Sequence, residues 1–169
     1  SSLTAPTDVV LEFTAATTLK NVNLTATGGG DILFPVATSY TGYNYADTTI
    51  EASGAGSRID LSHLETFYGG GEHQSGSYPY PWYYYTTNVK ALAGGEVDLA
   101  VAISQRNDIM VDGADSVLGV AGVTSVAGAS ITVQAGNVVT FASLTTLLNV
   151  SLYAHDGAKI FFPMATSYT

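Results

Sequence analysis

The residues best placed to do chemistry are a pair of acids with a basic neighbour. Asp60 and Asp98 end the short segments Arg58-Ile59-Asp60 and Glu96-Val97-Asp98. They fall at comparable outward places on recurring strand segments, with Arg58 close by. Clustered carboxylates with a basic residue are the equipment of polysaccharide hydrolases and lyases, and like charges stacked one strand apart shift a pKa. The simpler reading is two exposed strand residues, so no catalytic residue is assigned and the chain is not expected to be an enzyme. His63, His73 and His155 lie on separate segments without ligand spacing, and cysteine is absent. That composition excludes disulfides, thiolate metal sites and a thiol nucleophile. The phrases GGGDILF (28–34) and DGADSVL (112–118) faintly echo calcium-binding glycine–aspartate repeats. Those need a strict nine-residue recurrence, which is missing here. No metal and no cofactor are expected.

The second chemical feature is aromatic. Residues 68–87 read YGGGEHQSGSYPYPWYYYTT, a Gly/Ser stretch followed by Tyr78, Tyr80, Trp82, Tyr83, Tyr84 and Tyr85 around two prolines. Proline stiffens such a backbone towards an extended form. Tyrosine and tryptophan present flat apolar faces with polar edges, suited to stacking on sugar rings or gripping a protein. These six residues are the candidate ligand-binding set. The bland alternative is that the loop folds back and covers a lateral face. A smaller group, Tyr40, Tyr43 and Tyr45, precedes it and is expected to pack against it.

Charge narrows the list of partners. Five cations oppose fourteen acids, for a net charge of −9. Such a chain cannot neutralise a run of phosphates, nor is it drawn to anionic membranes. Neither nucleic acid nor membrane insertion is expected, and no apolar run approaches the ~20 residues that span a bilayer. Acidity is instead a means of keeping a repetitive β protein soluble. The opening Ser1, without a methionine, reads as a mature or excised segment.

These features must be held by elements, and the elements are legible as repeats. Residues 1–41 can be laid without a gap on residues 129–169, an offset of 128, with about half the positions identical. The best stretch sets TTLKNVNLTATGGGDILFPVATSYT (17–41) against TTLLNVSLYAHDGAKIFFPMATSYT (145–169). The domain is therefore divided into a long repeat, 1–128, and the start of the next copy, 129–169, with the loop at 68–87 as an insertion. A finer period of ~21 residues lies within it. Segments starting at Leu3, Leu24, Ile50, Val89, Met110, Ile131 and Leu152 share one pattern: apolar alternation, a Gly- or Asp-bearing turn, a second apolar pair, and an aliphatic-Thr-Ser/Thr-apolar run.

Strand alternation puts every second residue on one side. The expected inward set runs from Leu24, Ile32 and Phe34, through Ile50, Ile59 and Leu61, to Ile131, Val139, Phe141, Ile160 and Phe162. Gly29, Gly94, Gly136 and Gly157 share one turn and are expected at positive φ. The Thr/Ser pairs (Thr17-Thr18, Thr38-Ser39, Thr124-Ser125, Thr145-Thr146, Thr166-Ser167) are expected to form hydroxyl ladders that satisfy turn backbone groups. The fold class expected is all-β: a right-handed parallel β-helix, or β-solenoid, of about seven coils of ~21 residues with one long Tyr-rich insertion. A β-sandwich of short strands is the alternative.

The coil pattern, as in the phrase IEASGAGSRIDLSHL (50–64), resembles repetitive β-helical segments of large secreted or cell-surface bacterial proteins. That resemblance covers nearly the whole chain and implies extracellular or cell-surface exposure and a structural or adhesive role. It carries no catalytic residue over. The functional expectation is a non-enzymatic β-solenoid repeat of a longer array or filament, associating end to end or with adjoining repeats. The alternative is a carbohydrate-binding module using the aromatic loop, with a glycan or a surface protein as partner.

Overall fold

The computed structural model describes residues 1–76, 81–99 and 101–169. It is all-β, with mostly parallel strands in a curled sheet. Pairing sorts the strands into three columns. The first runs Ser2–Ala5, Asn23–Thr27, Thr48–Ser53, Thr87–Leu92, Asn107–Asp112, and then the C-terminal halves of Ser125–Val133 and Thr146–Ala154. Its inward centres stack as Leu3, Leu24, Ile50, Val89, Ile109, Ile131 and Leu152. The sequence steps between them are 21, 26, 39, 20, 22 and 21 residues, yet each is a single pairing in space.

One expected start is shifted by a residue. Ile109, not Met110, pairs with Val89 and Ile131. The strand Asn107–Asp112 buries Asn107, Ile109 and Val111 and turns Met110 outward between Lys90 and Thr132. The pair Ile109/Val111 satisfies the two-residue alternation; a start at Met110 would have put Asp112 inside.

The second column pairs Val10–Glu12, Asp31–Leu33, Arg58–Asp60, Glu96–Asp98 and Val117–Gly119. Val138–Thr140 and Lys159–Phe161 form a separate parallel pair. The gap between the two sets is bridged by the Asn137 side chain, whose Nδ2 donates to Gly113 O at 2.9 Å and Gln134 O at 2.8 Å. The third column stacks Leu19, Tyr40, Phe67, Ile103, Val126, Leu147 and Tyr168.

The core lies between the columns, and most of the expected inward residues are fully buried, from Leu24 and Ile32 to Ile131 and Phe141. Each such side chain contributes about 1.5–3 kcal/mol by leaving water. Ile160 and Phe162 pack against this core but are only partly buried. Tyr40 departs from expectation. It is fully buried, stacked on Phe67 at 4.7 Å, and its hydroxyl donates to Val22 O at 3.2 Å and also bonds the Thr48 hydroxyl at 3.1 Å. Burial raises its phenol pKa, partly offset by the hydrogen bonds to Thr48 and Thr87.

The turns behave as their residues require. Gly29, Gly94, Gly136 and Gly157 have φ between 73° and 88°, a region glycine enters without steric cost. At two of these turns a serine hydroxyl ties neighbouring strands: Ser57 Oγ accepts from Gly29 N at 3.0 Å, and Ser116 Oγ from Gly94 N at 3.0 Å. The threonine ladder is also present. Thr38, Thr124, Thr145 and Thr166 donate their hydroxyls to Thr17 O, Val101 O, Thr124 O and Thr145 O at 3.2–3.4 Å. Each hydroxyl thereby satisfies a carbonyl one step back along the stack.

Candidate functional site

The aromatic insertion leaves the third column at Tyr68 and rejoins the first at Thr87. Its described part is an antiparallel hairpin, Glu72–Gln74 against Trp82–Tyr84. Tyr78 and Tyr80, two of the six candidate binders, lie outside the described residues. The root is glycine because the two chains touch there: a Cβ on Gly70 would overlap Tyr85 O, and one on Gly71 would overlap Asn44 Oδ1. Tyr85 N donates to Gly71 O at 2.9 Å and closes the root.

Alternation gives the hairpin two faces. Glu72, Gln74, Trp82 and Tyr84 share one, and His73 and Tyr83 the other. Arg106 reaches the first face, its guanidinium 4.0 Å from the Tyr84 ring centre and 3.3 Å from Glu72 Oε2. A cation over an aromatic face contributes roughly 0.5–1 kcal/mol at an exposed site. On the other face Tyr45 meets the His73 ring at 4.3 Å and Tyr43 meets Tyr45 at 5.4 Å. Tyr43 and Tyr45 thus join the hairpin as expected, while Tyr40 does not. Trp82, Tyr83 and Tyr84 remain about half exposed, at 49%, 47% and 56%.

Three clefts run along the corner between the third and first columns. One of about 200 Å³ is lined by Lys20, Asn21, Thr41, Gly42 and Tyr43–Tyr45. A second of about 250 Å³ lies under the hairpin root, lined by Thr41, Asn44, Tyr68, Gly69–Gly71, Glu72, Gln105 and Arg106. The third, about 410 Å³, is lined by Ser104, Gln105, Arg106, Ala127, Gly128 and Asn149. Neighbouring clefts share walls: Thr41 and Asn44 between the first two, Gln105 and Arg106 between the last two. Trp82, Tyr83 and Tyr84 line none of these three clefts.

Beneath the second cleft lies a buried polar strip. Thr48 Oγ1 and Thr87 Oγ1 are 2.8 Å apart, and Asn107 follows in register. Asn107 gives its Nδ2 to Ser104 O and Gln105 O, while its buried Oδ1, against Gly69, has no hydrogen-bond partner among the described residues.

On the second column the acidic pair is brought together. Asp60 and Asp98 are register partners, and Arg58 clamps both: its Nη2 lies 3.0 Å from Asp60 Oδ2 and 2.6 Å from Asp98 Oδ2, and its Nε 3.0 Å from Asp98 Oδ2. The hydrogen bond to Asp98 leads the causes that raise the Arg58 pKa. Partial burial pushes the Asp60 carboxyl up, but two hydrogen bonds from Ser62 and the charge of Arg58 outweigh it, and the net pKa is lowered. Glu96, 3.8 Å from Arg58 Nε, is pushed up by burial and then by the charge of Asp98. A guanidinium wedged between two carboxylates is the geometry of a staple between strands.

No protein-family model matches the chain, nor does any curated protein or solved structure. The reading of the site therefore rests on geometry. Sequence reasoning found the aromatic insertion, though not that it is a hairpin, together with Tyr43, Tyr45 and the Arg58 cluster. It missed the cleft residues Asn21, Gln105 and Asn149, which are scattered polar residues with no common motif. Their signal was positional, since each follows a third-column strand.

Proposed function

We propose that the chain is a right-handed parallel β-helix of about seven coils of ~21 residues, and that it serves as a non-enzymatic structural or adhesive repeat in an extracellular rod. The observation that carries this reading is the phase of the internal duplication. The repeated sequence occupies equivalent places in all three columns: Leu24 and Leu152 in the first, Ile32 and Ile160 in the second, Tyr40 and Tyr168 in the third. A shift of five coils carries one copy onto the other, so the unit adds along the axis without altering its pairing. Stacked repeats that contact only their neighbours build rods in this way. A right-handed sense is what parallel crossover connections overwhelmingly adopt. The location outside the cell rests on the resemblance to surface β-helical segments.

The test is to lengthen the rod. Residues 42–128, appended after Thr169, supply the remainder of a second unit. Small-angle scattering should then show the long dimension growing by about 14 Å, three coils of ~4.8 Å, with the cross-section unchanged. A thicker particle, or two bodies tumbling independently, would overturn the reading.

A further inference from the structure

We infer that the corner groove formed by the three clefts is a binding site for an extended, uncharged polysaccharide lying parallel to the stack. The groove goes beyond a structural role and depends on the strand columns, not on whether units add end to end.

Three observations converge on it. The first is length. Asn21 follows the first strand of the third column and Asn149 lies five pairings further on, so the groove runs about 24 Å, enough for several sugar rings in a row. The second is backbone strain. Asn21, Gln105 and Asn149 occupy the corner with φ of 54°, 62° and 52°, where Gly128 stands at 63° in the equivalent place. Asparagine tolerates this region; glutamine does not favour it. Strained residues held where glycine fits better point to function. What the three share is a side-chain amide, and none of these amides hydrogen-bonds within the described residues, so all are free to receive hydroxyls.

The third observation is the balance of chemistry. Tyr43, Tyr45 and Tyr68 line the groove and are 38%, 56% and 47% exposed. Aromatic faces with amides beside them suit the apolar face and hydroxyl rim of a pyranose. Arg106 is already engaged by Glu72 and Tyr84, which leaves Lys20 as the one cation in the groove without an ion pair among the described residues. A groove so nearly neutral, on a chain of net charge −9, does not recruit an acidic polymer.

Affinity electrophoresis in gels containing xylan, galactomannan or β-glucan, with polygalacturonate and alginate as acidic counterparts, tests the assignment. At least one neutral polymer should retard the protein and the acidic ones should not. Gln105→Gly keeps the backbone comfortable and removes the side chain with its amide; it should weaken binding about fivefold, the worth of one hydrogen bond, with thermal stability unchanged or raised. Tyr43→Ala with Tyr45→Ala should weaken it roughly tenfold or more. Trp82→Ala with Tyr83→Ala, which lie outside the groove, should change it less than twofold. Retardation by none of the neutral polymers, retardation by acidic polymers alone, or binding lost only with Trp82 and Tyr83 would each overturn the inference. The rod reading would survive all three.

Discussion

Residues 22–41 and 150–169 share twelve of twenty residues and sit in two different settings. In the first, Ile32, Phe34, Ala37 and Tyr40 are all buried, because strands Arg58–Asp60 and Thr66–Tyr68 lie across them. In the second no described strand follows, and Ile160 and Phe162 are half-buried while Tyr168 is 63% exposed. Local features persist regardless. Tyr168 still donates to Val150 O at 2.7 Å, as Tyr40 does to Val22 O, and Phe162 still stacks on Phe141 at 5.2 Å, as Phe34 does on Phe13 at 5.0 Å. Sequence thus sets which residues of each strand point inward, while burial comes from the strands paired across them.

The comparison can be broken by truncating both copies. Phe34→Ala should cost about 3–5 kcal/mol, the range for a fully enclosed phenylalanine, and Phe162→Ala only about 1 kcal/mol, read from denaturant unfolding. Removing the tyrosine hydroxyls should follow the same order. Tyr40→Phe leaves Val22 O without its donor and the Thr48 hydroxyl one partner short and should cost about 1–2 kcal/mol, against under about 0.5 kcal/mol for the solvated Tyr168→Phe. Equal costs at either pair would show that the two settings do not differ. The smallest effect sharpens the contrast in charge. Asp31 pairs in register with Arg58, and Lys159 stands in its place in the second copy. In the lengthened chain described above, Lys159→Asp should therefore stabilise by under about 0.5 kcal/mol, and in the original chain by nothing measurable.

Much of this was legible from residues alone, because strand alternation and turn glycines are local signals. Leu24, Ile59, Val97 and Phe141 were placed inward from their two-residue period, and Gly94 and Gly136 at positive φ from their place in the repeat. Two features were not legible. Ile109 and Met110 are both apolar, so only the register with Val89 distinguished them. Tyr40 looked like part of a surface tyrosine group because Tyr43 and Tyr45 follow it, yet its place in the 21-residue pattern is that of Leu19 and Leu147, which point inward. At the candidate site the aromatic insertion announced itself by composition. The groove did not, since its walls come from six separate segments that only stacking brings together.

That stacking is the central claim, and distances along the first column test it most directly. The chain has no cysteine, so spin labels can be placed in pairs at outward sites, with Thr4 as the origin and Lys90, Met110, Thr132 or Tyr153 as the second site. A seven-coil stack predicts separations of about 14, 19, 24 and 29 Å, rising by ~4.8 Å per coil. The step from Glu51 to Lys90, which spans the hairpin, should count the same as the step from Thr132 to Tyr153. Distances that grew with the number of intervening residues, or that failed to rise steadily along the series, would contradict the account.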